Sequence, residues 1–301
     1  MHGSVQAFCT AKAVALSPKT VVWYRIQLGA FGAWLDAQGG DWMAATSIEQ
    51  YYSYLRTVRR LQPSSVRGAH RALSAFYGWL IKRRLIARNP ISDVEAPRVP
   101  KKQRGRAAPG DYESLLRSIP LDSNWVNARD YLLVSTLFLA GLRVAELTRL
   151  TIDDFDITNR LLIIRSRKGG DDHIIPLLEP VTRAFIAYLY ARPATECAEV
   201  FLASDGGLGS DGVLTPNGVR QRLTKLCERA GIGRLTPHKF RHGLARYMLD
   251  KGADMALIQR ILGHQRMSTT AEIYALWDNL AGVSSQYKAV MAELVKPQGK
   301  R

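Results

Sequence analysis

The chain has 301 residues, 47% of them hydrophobic, which is enough for two domains that each bury a core. A formal net charge of +16 and a pI near 10.0 favour a polyanionic partner such as nucleic acid. No apolar run approaches the length of a bilayer span, which argues against a membrane partner. Three scattered cysteines argue against a disulfide framework and a zinc ribbon, so we expect a soluble protein of the reducing cytoplasm.

The basic charge is concentrated in the first third of the chain. Residues 1–108 hold 17 Lys and Arg against 5 Asp and Glu, a net charge of +12, whereas residues 109–301 hold 25 against 21, a net charge of +4. The segment Ala96–Gly110 is rich in proline, lysine and arginine, which disfavours both helix and sheet. We therefore predict a helical domain over residues 1–96, a basic linker over 97–108 and a second domain over 109–301.

Start signals predict helices throughout the first domain. Ser17 precedes Pro18 at the start of an apolar-periodic stretch. Ser47 with Gln50 has the pattern of a capping box, and Pro63 opens another helical stretch. A bundle of about four helices with one basic face is the expected result.

The basic face and the linker supply candidate DNA contacts. For any single residue, a solvated helix face is at least as good an interpretation as a contact with phosphate. The candidates are Arg67, Arg71, Lys82, Arg83, Arg84, Lys101, Lys102 and Arg104.

The second domain is predicted to be mixed. Residues 111–119 and 127–140 have helical patterns, and the second stretch is almost entirely apolar. β-Branched runs then alternate with turn residues at Thr158-Asn159 and Gly169-Gly170, which predicts a small antiparallel sheet before helices resume. The predicted fold class is mainly α with a small antiparallel β-sheet.

Charged residues flank the apolar helix and the predicted sheet. Arg143 follows the helix in LFLAGLRVAEL, where a charge is costly unless it meets an anion or a carboxylate. Glu146 follows one turn later and either orients Arg143 for function or forms a purely structural pair with it. Lys168 precedes the Gly169-Gly170 turn, where it is either a ligand contact or an ordinary hairpin lysine.

The stretch TPHKFRHGLARYML begins a helix at Pro237. This places His238 and Arg241 three residues apart near a helix N-terminus, which favours anions. His238 and His242 also have the HxxxH spacing of a metal pair. Two cations and no glutamate lie between them, so we predict no metal.

The stretch LGHQRMSTTAEIY holds His264 and Tyr274. A lone tyrosine is more often a packing residue than a reactive one. Two arginines, a lysine, two histidines and a tyrosine would nevertheless suit nucleophilic attack on a phosphodiester. The arginines would stabilise charge at phosphorus and the tyrosine would take the phosphoryl group, so that no cofactor is required.

In chain order, the motifs AGLRVAEL, RKGG, HKFRH, LGH and TTAEIY resemble those of the tyrosine recombinases, the family of phage integrases and Xer-type resolvases. The resemblance covers nearly the whole chain. It implies that Tyr274 is the nucleophile and that Arg143 and Arg241 clamp the phosphate.

The resemblance also implies roles for the remaining polar groups of these motifs. Lys168 would be the general acid to the leaving 5′ oxygen, and His238 and His264 would transfer protons or donate hydrogen bonds. Glu146 and His242 are expected to support the residues that touch the phosphate.

The function implied by the resemblance is site-specific recombination. The enzyme would cut and rejoin duplex DNA through a 3′-phosphotyrosyl intermediate during integration, excision or resolution of DNA elements. A helical core-binding domain and a catalytic domain would form a clamp around DNA. Four protomers would hold two sites with inverted-repeat cores in the bacterial nucleoid, with accessory proteins as further candidate partners.

The end of the chain has an apolar stripe at helical spacing and predicts a helix over about residues 279–295. In the family such a helix often docks on the neighbouring protomer, and packing on its own domain is the equal alternative. The stripe consists of Leu280, Val283, Tyr287, Val290 and Leu294.

Two other functions were weighed against recombination. A non-catalytic DNA-binding or architectural protein would explain the charge and the helices but gives no reason to keep all six polar groups. A type IB topoisomerase would share the chemistry, and it differs in relaxing supercoiled DNA as a monomer without a specific site.

Overall fold

The computed structural model describes residues 1–100, 105–165, 172–204, 212–263 and 270–295, with the backbone alone for 270–281 and 295. The chain divides into two compact units, Met1–Gln103 (unit 1) and Arg104–Arg301 (unit 2). Each has its own hydrophobic core. Within the described ranges, no helix combines the length and the apolar character needed to cross a bilayer.

Unit 1 is the predicted helical bundle. Ser17 caps α2 by accepting a hydrogen bond from the backbone N of Thr20 at 3.3 Å, and Pro18 and Pro63 occupy the first positions of α2 and α4. The expected start signals at these two helices are confirmed. The four helices are α1 (His2–Ala13), α2 (Pro18–Gln38), α3 (Ala45–Thr57) and α4 (Pro63–Lys82).

The predicted capping box at Ser47 and Gln50 is wrong. Helix α3 begins at Ala45, so Ser47 lies inside its first turn and is buried. The turn before α3 is closed instead by Asp41, whose carboxylate accepts from the backbone N of Met43 at 2.9 Å. Ser47 is buried near Gly40, where a Cβ atom would lie 3.5 Å from its Oγ, so its side chain takes part in tertiary packing and does not cap the helix.

Unit 2 is mainly helical. Its helix α6 is the buried apolar helix that the sequence predicts, and it packs between α5, α8 and α10. The helices are α5 (Pro109–Ser118), α6 (Trp125–Leu139), α7 (Val144–Leu147), α8 (Glu179–Ala191), α9 (Pro216–Arg229), α10 (Pro237–Asp250), α11 (Met255–Leu262) and α12 (Thr270–Val295).

The described residues of unit 2 also form a three-stranded antiparallel sheet in the order β1-β2-β3. The predicted turn before β2 is present, and Asn159 donates from its backbone N and its side chain to Asp156. The second predicted turn, at Gly169-Gly170, lies outside the described residues. The strands are β1 (Phe155–Asp156), β2 (Leu161–Ile164) and β3 (His173–Pro176).

Helix α12 packs on its own unit in the single chain. Val283, Tyr287 and Met291 are buried in the core of unit 2, and the hydroxyl of Tyr287 donates to the carbonyl of Leu139. Val290 and Leu294 pack against the same core. In the single chain these residues therefore pack on their own unit, which is the second of the two predicted alternatives. The side chain of Leu280 lies outside the described part.

Candidate active site

The connection between α6 and α7 turns on a glycine. Gly141 has a φ of +61°, and a Cβ atom there would lie 2.8 Å from the side chains of Leu244 and Leu262. A larger residue would suit neither the backbone nor the space. The connection ends at Arg143, the N-cap of α7, whose side chain is 47% exposed. The glycine turn thus takes the chain from a buried helix to a charged side chain that reaches solvent.

Glu146 accepts hydrogen bonds from both the backbone and the side chain of Arg143. The backbone N of Arg143 donates to Oε2 of Glu146, and its Nη1 donates to Oε1, both at 2.7 Å. Because an arginine has five N–H donors, this pairing orients the guanidinium and leaves donors for a further acceptor.

Arg241 lies on α10 and is 7% exposed. Its Nη1 donates to the carbonyl of Gly141 at 2.9 Å, and its Nη2 donates to the carbonyl of Leu262. Among the residues that the structure describes, no carboxylate forms an ion pair with Arg241. Burial lowers the pKa of Arg241 to about 10, the charge of Arg143 lowers it as well, and Glu146 opposes both effects.

The structure therefore brings Arg143 and Arg241 within electrostatic reach of each other. A buried cation that is held by carbonyls and repelled by a second cation is stabilised when an anion binds between them. Guanidinium groups match the oxygens of phosphate with paired hydrogen bonds. The arrangement is chemically suited to hold a phosphate group and to stabilise negative charge that develops on it.

His238 and His242 lie on the same helix as Arg241. Thr236 caps α10 by accepting from the backbone N of Lys239, and this cap places His238 in the first turn, where it is exposed. His242 is also exposed. Within the described ranges, no group of three His, Cys, Asp or Glu residues could hold a metal ion.

The structure describes the other predicted catalytic residues only in part. Lys168 and His264 lie outside the described residues, although the elements before and after them are described. Strand β3 follows the segment with Lys168, and α11 ends at Leu262 with Gly263 as its C-cap, directly before His264. Tyr274 belongs to α12, but the structure describes only its backbone and not its side chain.

One residue near the arginine pair was missed by sequence reasoning. His173, the first residue of β3, is partly buried, and its Nε2 donates to the carbonyl of Arg260 at 2.5 Å. Burial lowers the pKa of His173, the charges of Arg241 and Arg143 add to this, and the carbonyl of Arg260 and Glu146 act against it. Its position directly after the Lys168 turn was the signal that could have drawn attention to it.

The candidate DNA contacts of the helical domain and the linker are all exposed where the structure describes them. Arg67 donates from Nη1 to the carbonyl of Pro97 at 2.9 Å, and the guanidinium of Arg83 lies 5.8 Å from the ring centroid of Trp79. Lys101, Lys102 and Arg104 lie outside the described residues. The exposed candidates are Arg67, Arg71, Lys82, Arg83 and Arg84.

Residues 109–279 match the phage integrase family, and residues 5–87 match the N-terminal SAM-like domain of phage integrases. The chain belongs to the phage integrase family. Among its relatives is the tyrosine recombinase XerC of Chromohalobacter salexigens, 30% identical over 95% of both chains. XerC of Pelobacter propionicus is 32% identical over 85% of this chain and 84% of the relative. Membership and these relatives identify the class of enzyme as tyrosine-type site-specific recombinase.

Solved structures of the family share the fold. The Tn1549 transposon integrase in complex with circular intermediate DNA superposes with a TM-score of 0.70 at 18% identity, covering 91% of this chain and 98% of the other. A lambda integrase dimer bound to a core site gives a TM-score of 0.67 at 16% identity, covering 88% and 95%. The predicted fold class is confirmed, and neither the non-catalytic nor the topoisomerase alternative is favoured.

Proposed function

We propose that this recombinase cuts and rejoins duplex DNA through a covalent 3′-phosphotyrosyl intermediate on Tyr274. The observation that carries the proposal is the arginine pair. Arg241 is buried without a described carboxylate partner, it is repelled by Arg143, and its pKa is lowered to about 10. Such a pair can stabilise the negative charge that develops on a pentacoordinate phosphorus in the transition state.

The proposed step is an in-line transfer. The hydroxyl of Tyr274 gives up its proton and its oxygen attacks phosphorus, while the bond from phosphorus to the 5′ oxygen breaks. Lys168 protonates the departing 5′ oxygen, and His238 and His264 accept a proton or donate a hydrogen bond to the phosphate oxygens. A 5′-hydroxyl of another strand then attacks the phosphotyrosine and regenerates the tyrosine.

Unit 1 supports contact with a polyanion. A groove of about 1130 Å³ between α2, α3 and α4 is lined by Lys19, Arg59 and Arg71 together with aromatic rings that include Trp23 and Trp34. Among the described residues, no carboxylate lines this groove. Cations beside aromatic faces suit a phosphate backbone and its bases.

The proposed architecture is a clamp on DNA. Residues 1–96 would form the core-binding domain, residues 97–108 a linker that touches phosphate, and residues 109–301 the catalytic domain. A homotetramer would hold two sites with inverted-repeat cores. The helix over about residues 279–295 would exchange between protomers in that assembly, and accessory proteins would help to build it. The proposed location is the cytoplasm, at the nucleoid.

Covalent trapping tests the proposal. The protein is incubated with nicked fragments of its source genome, the mixture is denatured, and DNA that stays attached to protein is sequenced at the junctions. Adducts at a short inverted repeat are expected for the native protein and should be absent for Tyr274→Phe.

Tyr190→Phe is the matched control, since it makes the same chemical change at a tyrosine that is 90% exposed on α8. It should form adducts at the native level. Adducts that persist in Tyr274→Phe would overturn the choice of nucleophile. Site-specific binding by the native protein without any adduct, even with host extract added, would overturn the covalent mechanism.

A further inference from the structure

A side-chain hydrogen bond joins the sheet of unit 2 to the end of α11. Nε2 of His173 donates to the carbonyl of Arg260 at 2.5 Å, across 87 residues of sequence. A carbonyl only accepts, so the proton is on Nε2 and the neutral ring keeps Nδ1 as an acceptor. In the neutral ring, the contact therefore requires the tautomer with the proton on Nε2.

The same ring also lies against the turn that ends α11. Gly263 caps this helix with a φ of +64°, and a Cβ atom there would lie 2.6 Å from Nδ1 of His173. Both the left-handed backbone and the contact with the ring require glycine. The next residue in the chain is His264.

Arg241 also binds the turn that ends α11. Its Nη2 donates to the carbonyl of Leu262, two residues after the carbonyl that His173 binds. The last carbonyls of a helix have no partner within the helix, so donors from elsewhere fix its end. Here the backbone N of Gly263 donates to the carbonyls of Arg260 and Gln259, and the side chains of His173 and Arg241 add donors to the carbonyls of Arg260 and Leu262. Of these two side chains, Arg241 is the candidate phosphate clamp.

The backbone of His173 is connected to Lys168 through the segment between β2 and β3. His173 pairs with Ile164 at the end of the β2–β3 ladder, and the chain between these two residues contains Lys168. The strand that leaves the Lys168 segment and the turn that leads into His264 therefore meet at this one imidazole.

We propose that His173 is a positioning residue that fixes the start of the His264 segment relative to the Lys168 hairpin and to Arg241. Its contacts are with Arg260 and Gly263, and its effect passes through this turn to His264, the next residue of the chain. The inference rests on the proposed function for its effect on DNA cleavage, whereas its effect on the α11 turn can be measured without cleavage.

The activity test is a double-mutant cycle on the DNA site recovered by covalent trapping, read as the single-turnover rate of adduct formation. His173→Leu removes the donor and should slow cleavage by about tenfold, because small misplacements of a reacting group are costly. His173→Gln keeps an N–H donor at the length of Nε2 and should stay within about twofold of the native rate.

The readout that a merely structural role would not move is non-additivity. In a His264→Ala background, His173→Leu should add less than about twofold, because the residue through which it acts is gone. Ile175→Val is the matched control, since it removes one buried methylene from the same strand. Whatever effect it has should be the same in both backgrounds.

The second measurement is amide hydrogen exchange over residues 260–265 of the free protein. Exchange should accelerate in His173→Leu and remain native in His173→Gln and Ile175→Val. If native protein forms no adduct but exchange behaves as expected, the proposed function fails and the positioning of the turn stands. Unchanged exchange, equal slowing by Leu and Gln, or a full penalty in the His264→Ala background would each overturn the role of His173.

Discussion

Unit 2 contains two arginine clusters that handle charge in opposite ways. In the first, which we call the ion network, Asp130 is fully buried and accepts from Arg129 at 2.9 Å and from Arg222. Arg129 also donates to the carbonyl of Leu202, and its guanidinium lies 5.4 Å from the ring centroid of Trp125. Both arginines of this network share one buried carboxylate; Arg129 is fully buried, whereas the side chain of Arg222 is 20% exposed.

In the second cluster the carboxylate serves only one arginine. Glu146 binds Arg143, which is half exposed, while the buried Arg241 has carbonyls as its described acceptors. Buried arginines thus do not by themselves indicate a functional site. The distinguishing feature is positive charge that the described residues leave incompletely neutralised beside a side chain open to solvent.

The largest expected effect comes from removing the carboxylate of the ion network, and it is on the free energy of unfolding. Asp130→Asn keeps the shape of the side chain but leaves the buried Arg129 and the partly exposed Arg222 without a counter-charge. This should cost about 3–5 kcal/mol of unfolding free energy, chiefly because Arg129 would be an unpaired buried cation. The measurement is denaturant unfolding of unit 2 with a probe in its core.

Asp250→Asn is the matched control, because Asp250 pairs with Arg246 at an exposed i,i+4 position of the same unit. It should cost no more than about 0.5 kcal/mol. Equal unfolding midpoints for the two variants would show that the ion network does not depend on its carboxylate.

The second effect is on catalysis. Arg241→Ala should leave site binding intact and slow adduct formation by about a hundredfold or more, since a donor to the transition state is lost. Arg143→Ala should behave in the same way. Adduct formation and binding are measured side by side on the trapped DNA site.

Arg246→Ala on the same helix is the control for these variants, because it removes an exposed guanidinium from α10. Its cleavage rate should remain native. A native rate in Arg241→Ala would remove this residue from the mechanism.

Local sequence signals predicted the helices and strands, but they did not predict the long-range contacts that hold each arginine cluster together. Ser17 caps its helix and Pro237 begins its helix as expected, because these signals act within three residues of the helix start. Arg241 reaches Gly141 across 100 residues, and Arg222 reaches Asp130 across 92. Such contacts depend on packing that no local pattern encodes.

The candidate site shows the same limit. The motifs around Arg143 and Arg241 predicted two phosphate clamps, and the structure brings the two arginines within electrostatic reach. Their unequal burial was not predictable, since it comes from the close packing of Gly141 against α10 and α11. His173 was missed for the same reason, because its acceptor lies on α11.

The third effect concerns the backbone beside α10. A Cβ atom on Gly243 would lie 2.1 Å from the carbonyl oxygen of Ala107, and the backbone N of Ala107 donates to the carbonyl of Lys239 at 3.0 Å. Gly243→Ala must therefore displace the chain that crosses this helix, at a cost of about 1–3 kcal/mol. Thermal unfolding measures it.

Gly282→Ala on α12 is the control for this change, because nothing lies within 4 Å of a Cβ atom there. It should be neutral or stabilise by up to about 1 kcal/mol. A loss in Gly282→Ala as large as that in Gly243→Ala would mean that the close approach to Ala107 is not the cause.

The smallest expected effect is the pH dependence that His173 brings to the second cluster. Its pKa is lowered from 6.5 by burial and by the charges of Arg241 and Arg143, against the opposing effects of the Arg260 carbonyl and Glu146. The unfolded chain therefore binds a proton at this residue at a higher pH than the folded chain. Its contribution to stability is complete above about pH 6.5 and is lost as the pH falls below that value.

This loss can be separated from that of other groups by comparing variants. Between pH 6.5 and 5.5 one such group contributes at most about 1.4 kcal/mol. The decrease in unfolding free energy over this interval should be smaller in His173→Gln than in the native protein, because glutamine does not titrate. Ile175→Val, in the same strand, should keep the native pH dependence. If His173→Gln and native protein lose equal stability over this interval, His173 does not titrate as a buried neighbour of the two arginines, and the charge of the second cluster is screened from the sheet.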